Sequence, residues 1–196
     1  MTSISLRSTG LAVFAIALCM SLSAPFAQTK LSRNEIINSL QGAQQKVEIT
    51  ADQLRQAAAD QIKKYPGDNS TEVLPLAAKL AQLRQFNLEV TFDFNSSRIR
   101  PASYETVGLI ADALHTPYLA GQRFFVVGHT DAKGDRMYNL ELSQRRADAI
   151  RDALITTFRV PAGQLAAVGL GEEQLRDPAK PDSEVNRRVQ LINIGF

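Results

Sequence analysis

The run Phe124-Phe125-Val126-Val127 is apolar at every position, and this constrains the fold more than any other stretch of the chain. A strand with one solvated face alternates apolar and polar residues, whereas a strand buried on both faces reads as an unbroken apolar run. Helical patterns stand on either side of it. Residues 101–115 open on Pro101 and carry Val107, Leu109, Ile110 and Leu114, and residues 137–158 carry Leu142, Ala149, Ile150, Ala153 and Leu154 at spacings of three and four. Further strands are expected at 88–94, where Leu88, Val90, Phe92 and Phe94 alternate with polar residues, at 165–170, and at 185–194. Strands separated by helical crossovers imply an α+β architecture, an α-β sandwich in which a sheet of about four strands packs against helices.

The chain ahead of this alternation has a different character. Residues 1–27 have the outline of a signal peptide: Arg7 supplies a positive start, residues 10–20 are nearly all apolar, and a small-residue stretch ends at Ala27. That apolar run is shorter than the ~20 residues a membrane-spanning helix needs, and no later stretch approaches that length. Cys19 raises the alternative of a lipoprotein, but Leu18 stands where such cleavage boxes want Gly, Ala or Ser. Residues 28–85 are expected to form a helical region, rich in Gln and Ala, broken by the turn signal Tyr65-Pro66-Gly67-Asp68-Asn69-Ser70. It reads as a spacer, or as a docking segment for an envelope protein. Residues 86–196 then form the main domain.

Composition removes several classes of function. The 22 Lys and Arg against 20 Asp and Glu leave a formal charge of only +2, without the basic excess of a nucleic-acid binder. One cysteine and two histidines cannot build a disulfide framework or a Cys/His zinc site. Asp131, Lys133, Gly134 and Asp135 lack the acid alternation and terminal Glu of a calcium loop, so neither metal nor cofactor is expected. His129 reads as a structural hydrogen-bonder, and Glu172 and Glu173 as solvated loop charges rather than a glycosidase pair.

The helical pattern at 137–158 contains an anomaly. Arg146 falls on the apolar stripe, four residues after Leu142 and four before Ile150, so it is predicted to face inward. A buried guanidinium needs a carboxylate or several acceptors. An internal salt bridge is one solution and a ligand pocket is the other. Asp131 lies just past the C-terminal end of the buried strand, where open α/β sheets place their ligands.

At these residues the sequence resembles a known family. Gly128-His129-Thr130-Asp131-Ala132-Lys133-Gly134, then Tyr138-Asn139, then Leu142-Ser143-Gln144-Arg145-Arg146-Ala147 are similar in order and spacing to the central signature of OmpA-like domains. Phe92-Asp93-Phe94-Asn95-Ser96 resembles the opening motif and Asn186-Arg187-Arg188-Val189 the closing one. The resemblance covers residues 88 to about 195. It implies the OmpA-like fold, a mixed sheet packed against helices, and a peptidoglycan-binding function exercised through the diaminopimelate of the stem peptide.

By the same resemblance Asp131 and Arg146 hold the amino-acid end of diaminopimelate, and Asn95, Asn139 and Arg187 complete the pocket. Parity along an expected strand groups Arg187 with Val185, Val189 and Leu191, and Arg188 with Gln190, Ile192 and Ile194. It does not choose between the two arginines. The motif favours Arg187 and leaves Arg188 as a solvated or sheet-face charge. Backbone N–H groups of residues 130–134, near a helix start, are expected as further donors to the ligand carboxylate. The expected protein is non-enzymatic, periplasmic and associated with the cell wall or the outer membrane, with an envelope adaptor and a peptidoglycan hydrolase as the alternatives. Intact-mass analysis of envelope fractions checks the first step: the mature chain should begin at Gln28, and a diacylated species beginning at Cys19 would contradict it.

Overall fold

The structure, a computed structural model, describes residues 31–42, 47–66, 75–93 and 95–196. The expected signal peptide, Cys19, Phe94 and most of the 65–70 turn lie outside the described residues. Strand β2 (Arg123–His129) runs through the middle of a four-stranded sheet of order β1-β4-β2-β3. It pairs parallel with β3 (Leu165–Gly171), Phe124 facing Leu165, and antiparallel with β4 (Val189–Gly195), Phe125 facing Ile192. The edge strand β1 (Gln85–Leu88) pairs antiparallel with β4, so the sheet is mixed.

The unbroken apolar run of β2 reflects two cores. Alternate side chains of a strand point to opposite faces. Phe124 and Val126 enter one core with Val107, Ile110 and Leu114 of α4 (Tyr104–Leu114) and Ile150 and Leu154 of α5 (Arg136–Thr156). Phe125 and Val127 enter the other with Val168, Leu170, Ile192 and Ile194. Its cover comes from the N-terminal region: Leu54 and Ala58 of α2 (Ala51–Lys64) and Leu80 of α3 (Pro75–Ala81) lie over this face. Ile36 and Leu40 of α1 (Arg33–Leu40) join the first core.

The described residues between 31 and 85 therefore contribute to both cores, and Leu31–Phe196 groups as one unit. Local chemistry starts these helices where it can. Ser32 and Glu35 form a capping box on α1, and Thr50 and Gln53 form one on α2, each satisfying backbone donors that a helix start leaves free. Arg55 of α2 donates to the Ala167 carbonyl at 2.7 Å, and Arg151 of α5 to the Leu165 carbonyl at 3.2 Å. The free edge of β3 is thereby closed against pairing with another chain.

Helix α5 approaches the sheet where side chains are missing. A Cβ on Gly128 would lie 2.2 Å from the Ser143 carbonyl oxygen, and one on Gly169 would lie 2.3 Å from the Gln144 nitrogen. The same two helical residues reach across the gap. Ser143 Oγ accepts from Gly171 N at 2.8 Å, and Gln144 Oε1 accepts from Gly169 N at 2.6 Å.

Two expected strands are placed differently. The first lies at Gln85–Leu88 rather than 88–94; beyond it Phe92 makes only an isolated bridge with Ile99. Its ladder ends at Leu88 because the partner there, Val189, is where β4 begins. The alternation of Val90 and Phe92 still serves packing, since both lie against the first core. The last strand starts at Val189 rather than 185 because Glu184–Asn186 form a 3-10 turn. Asn186 holds that turn, its side chain donating to the carbonyls of Lys180 and Pro181 at 3.0 and 2.9 Å. Strand parity therefore does not apply to Arg187.

If α2 is a cover for the sheet, Leu54→Ala should destabilise the protein by about 2–5 kcal/mol, the usual cost of emptying a fully buried leucine site. Denaturant melts check this. An unchanged midpoint would mean that α2 does not hold the sheet.

Candidate functional site

The parallel strands β2 and β3 end on the same side of the sheet, and the chain leaves β2 through residues 130–135 before entering α5. Gly134, at φ +93, allows the reversal there. Asp135 caps α5 by accepting from Tyr138 N at 2.7 Å. One turn into the helix, Asn139 reaches back: its amide nitrogen donates to the carbonyls of Asp131 and Lys133 at 3.3 and 3.0 Å and to the Glu172 carboxylate at 2.8 Å. The helix thus holds the loop that presents Asp131.

Asp131 is 8% exposed and its carboxylate is paired, though not with Arg146. Arg187 Nη1 donates to its Oδ2 at 2.6 Å, while its Oδ1 has only a long 3.4 Å contact from Lys133 N. Arg146 faces inward as its place on the stripe predicts. It donates from Nε to the Ser96 carbonyl at 3.1 Å and lies over the Phe92 ring, 5.0 Å from its centre. No carboxylate of the described residues pairs with it. Burial, and then the neighbouring Arg187, hold its pKa below the ordinary arginine value, while Asp131 acts in the opposite direction. Arg145, by contrast, is exposed and pairs with Glu141 at 3.6 Å.

One cavity of about 670 Å³ is lined by all five residues expected at the site: Asn95, Asp131, Asn139, Arg146 and Arg187. Their situations differ. Asn139 spends its amide nitrogen on the loop and acts as a positioning residue. Asn95 adopts a left-handed backbone, φ +51, and accepts from the Tyr138 hydroxyl. Tyr138 lines the cavity as well, and its place in the Tyr-Asn motif was the available signal for it. The loop N–H groups of Thr130 and Ala132, expected to face a ligand, are donated instead to the carbonyls of Gly171 and Pro181 at 2.9 and 3.1 Å.

Two acidic residues are placed contrary to expectation. Glu172 and Glu173 are buried, each 8% exposed, rather than solvated. Gly171, at φ +53, turns the chain close under Leu140, which brings both acids beneath the start of α5. Arg136 meets Glu173 through two bonds of 2.6 Å and donates to the Tyr65 carbonyl at 2.8 Å, so this ion pair also closes the C-terminal end of α2. Of the two alternatives expected for it, Arg188 is the sheet-face charge, half-buried beside Gln190. Its guanidinium donates to the carbonyls of Gln174 and Asn186 at 3.1 and 3.4 Å, and burial lowers its pKa to about 10. His129 is a structural hydrogen-bonder, joined through Nε2 to Gln190 Oε1 at 2.8 Å; burial and then Arg188 keep its pKa well below the usual histidine value. Among the described residues no group of His, Cys, Asp or Glu is gathered as a metal site, and no helix is long and apolar enough to cross a membrane.

Glu172 supports the loop at an electrostatic cost. Burial raises its pKa, against the lowering effects of Asn139 and Arg136. A raised carboxyl pKa favours the protonated form in the fold, so its contribution is greatest below the ordinary value of about 4.3 and is lost as pH rises through the folded value. Glu172→Gln keeps an acceptor for Asn139 and removes the charge. It should raise the melting temperature near pH 7 and lose that advantage near pH 4; a lower melting temperature at both would contradict this account.

The matches to known proteins coincide with this site. The sequence pattern of the OmpA family matches residues 91–188, which takes in the loop, α5 and both Arg187 and Arg188. Outer membrane porin F of Pseudomonas aeruginosa is 32% identical over 147 residues, covering 73% of this chain and 41% of the porin. The peptidoglycan-associated lipoprotein of the same organism is 36% identical over 104 residues, covering 51% of this chain and 58% of the lipoprotein. The chain therefore spans less than two thirds of the length of either relative. The crystal structure of the peptidoglycan-associated lipoprotein from Burkholderia pseudomallei has 30% sequence identity and a TM-score of 0.45, covering 64% of this chain and 99% of that one. With half of its length matched to the family, site loop included, the chain belongs to the OmpA family.

Proposed function

We propose that this protein binds peptidoglycan without turnover, taking the diaminopimelate of the stem peptide into the cavity between Asp131 and Arg146. The observation that carries this reading is Arg146 itself. It is a partly buried guanidinium, on the wall of a cavity, with no carboxylate of the described residues beside it. Burying such a group is costly, and a bidentate carboxylate is the ligand its planar fork matches best. The free end of diaminopimelate carries a carboxylate and an ammonium on one carbon. Asp131 is the acceptor for the ammonium: Arg187 holds one of its oxygens, and the other has capacity left. Each charged contact contributes roughly 1.5–3 kcal/mol before desolvation is subtracted.

In this reading the protein is a non-enzymatic, periplasmic wall-binding component that tethers part of the envelope. A partner protein, if the N-terminal helices recruit one, would meet the outer surfaces of α1 and α2, since the apolar face of α1 is occupied by α4 and β1 and that of α2 by the sheet. The relative named peptidoglycan-associated lipoprotein supports the choice of ligand.

Co-sedimentation of the full chain with purified sacculi tests the reading. Walls with diaminopimelate should retain the protein, and walls with lysine should not, since the lysine side chain ends in an ammonium without the carboxylate that Arg146 would hold. Arg146→Ala should abolish retention at little cost to the melting temperature, because it strands no buried carboxylate. Equal retention on both walls would contradict the proposal, and release of sugar or peptide fragments would favour a hydrolase.

A further inference from the structure

Arg146 also borders a second cavity, of about 340 Å³, which shares Arg100 and Arg187 with the first and adds His129 and Arg188. Four guanidinium groups line it, and Glu184 is the one carboxylate among its lining residues. That carboxylate is exposed and lies 3.6 Å from Arg187. Arg187 already holds Asp131, and Arg100 lies 3.4 Å from Asp93. Arg146 and Arg188 are left with no carboxylate partner among the described residues.

The surroundings of Arg188 make this imbalance severe. Its terminal nitrogens meet only neutral oxygens, those of Gln174, Asn186 and Gln190, and its Nε is buried without an acceptor. His129 lies on the same cavity wall, and its Nδ1 is likewise buried and unpartnered. Carbonyl dipoles satisfy hydrogen bonds without cancelling a charge. A desolvated guanidinium on a cavity wall with no counter-charge leaves a positive potential that an entering anion would relieve.

We propose that this second cavity takes another carboxylate of the same stem peptide, held by Arg188, with Arg146 on the wall shared by the two subsites. The inference rests on the reading of the first cavity as the diaminopimelate pocket. The peptide supplies the chemistry. Its diaminopimelate is joined by an amide to a glutamate linked through the side-chain carboxyl, so the glutamate α-carboxylate stays free. The C-terminal carboxylate of the tripeptide belongs to diaminopimelate itself and is present in the free amino acid as well, so the glutamate α-carboxylate is the anion that the peptide adds. A ligand spanning both cavities would place one anion at each otherwise uncompensated arginine.

Calorimetric titration of the full chain separates the possibilities with four ligands: free diaminopimelate, the Ala-γ-Glu-diaminopimelate tripeptide, and that tripeptide amidated either at the glutamate α-carboxylate or at the C-terminus. The wild type should bind the tripeptide more tightly than free diaminopimelate; amidation of the glutamate α-carboxylate should remove the gain, and amidation at the C-terminus, a carboxylate that free diaminopimelate also carries, should not. Arg188→Gln should bind free diaminopimelate within about twofold of the wild type and lose about tenfold or more for the tripeptide, as expected for one charge-assisted contact. Arg188→Lys should recover part of that loss. Equal binding of all three tripeptides by the wild type overturns the inference without recourse to any variant, as does an equal loss of both unmodified ligands in Arg188→Gln. A wild type that binds neither free diaminopimelate nor any tripeptide overturns the first-cavity reading, and this inference with it.

Discussion

Helix α5 lies on β2 and β3 at a distance that no side chain on Gly128 or Gly169 would permit, and the site is built from that contact. Close backbone approach lets Ser143 and Gln144 bond directly to the last residues of β3. The register of the helix against the sheet is therefore fixed by hydrogen bonds as well as by packing. Asn139, a turn above Ser143, then falls where it can hold the carbonyls of Asp131 and Lys133, and Arg146 falls beside Phe92. A methyl group on either glycine would push the helix away and move every side chain it contributes to the cavity.

A second consequence concerns the N-terminal helices. A sheet whose central strand is apolar on both faces must be covered twice, and the chain after residue 85 supplies α4 and α5 to the first core. Leu54, Ala58 and Leu80 cover the other face. Arg136 ties the two halves further by joining Glu173 to the end of α2. The described helices ahead of the sheet are thus a structural part of the unit that carries the site.

Much of this was legible from residue pattern. The unbroken run of β2 announced a strand buried on both faces, and the stripe through Leu142, Arg146 and Ile150 announced an inward arginine. What stayed hidden depends on contacts between distant residues. Nothing near Glu172 or Glu173 announces burial, because their partners Asn139 and Arg136 lie on another element. The pairing of Asp131 with Arg187 was obscured by the expectation of a strand over 185–194, whose start is taken instead by a 3-10 turn at Glu184–Asn186. The sequence left Arg188 between a solvated and a sheet-face charge because the carbonyl of Gln174, which receives it, lies 14 residues earlier in the chain.

The electrostatics of the site follow from these placements. Arg187 compensates one oxygen of Asp131, whereas Arg146 and Arg188 keep positive charges that no carboxylate of the described residues pairs with, so the site favours an anion. The most direct test of the central claim is to follow the Nε–H resonance of Arg146 by NMR during titration with stem tetrapeptides. A tetrapeptide containing diaminopimelate should shift that resonance saturably, and its lysine counterpart should leave it in place. An Arg146 resonance that stays unmoved while the diaminopimelate peptide binds, or that responds equally to both peptides, would contradict the account.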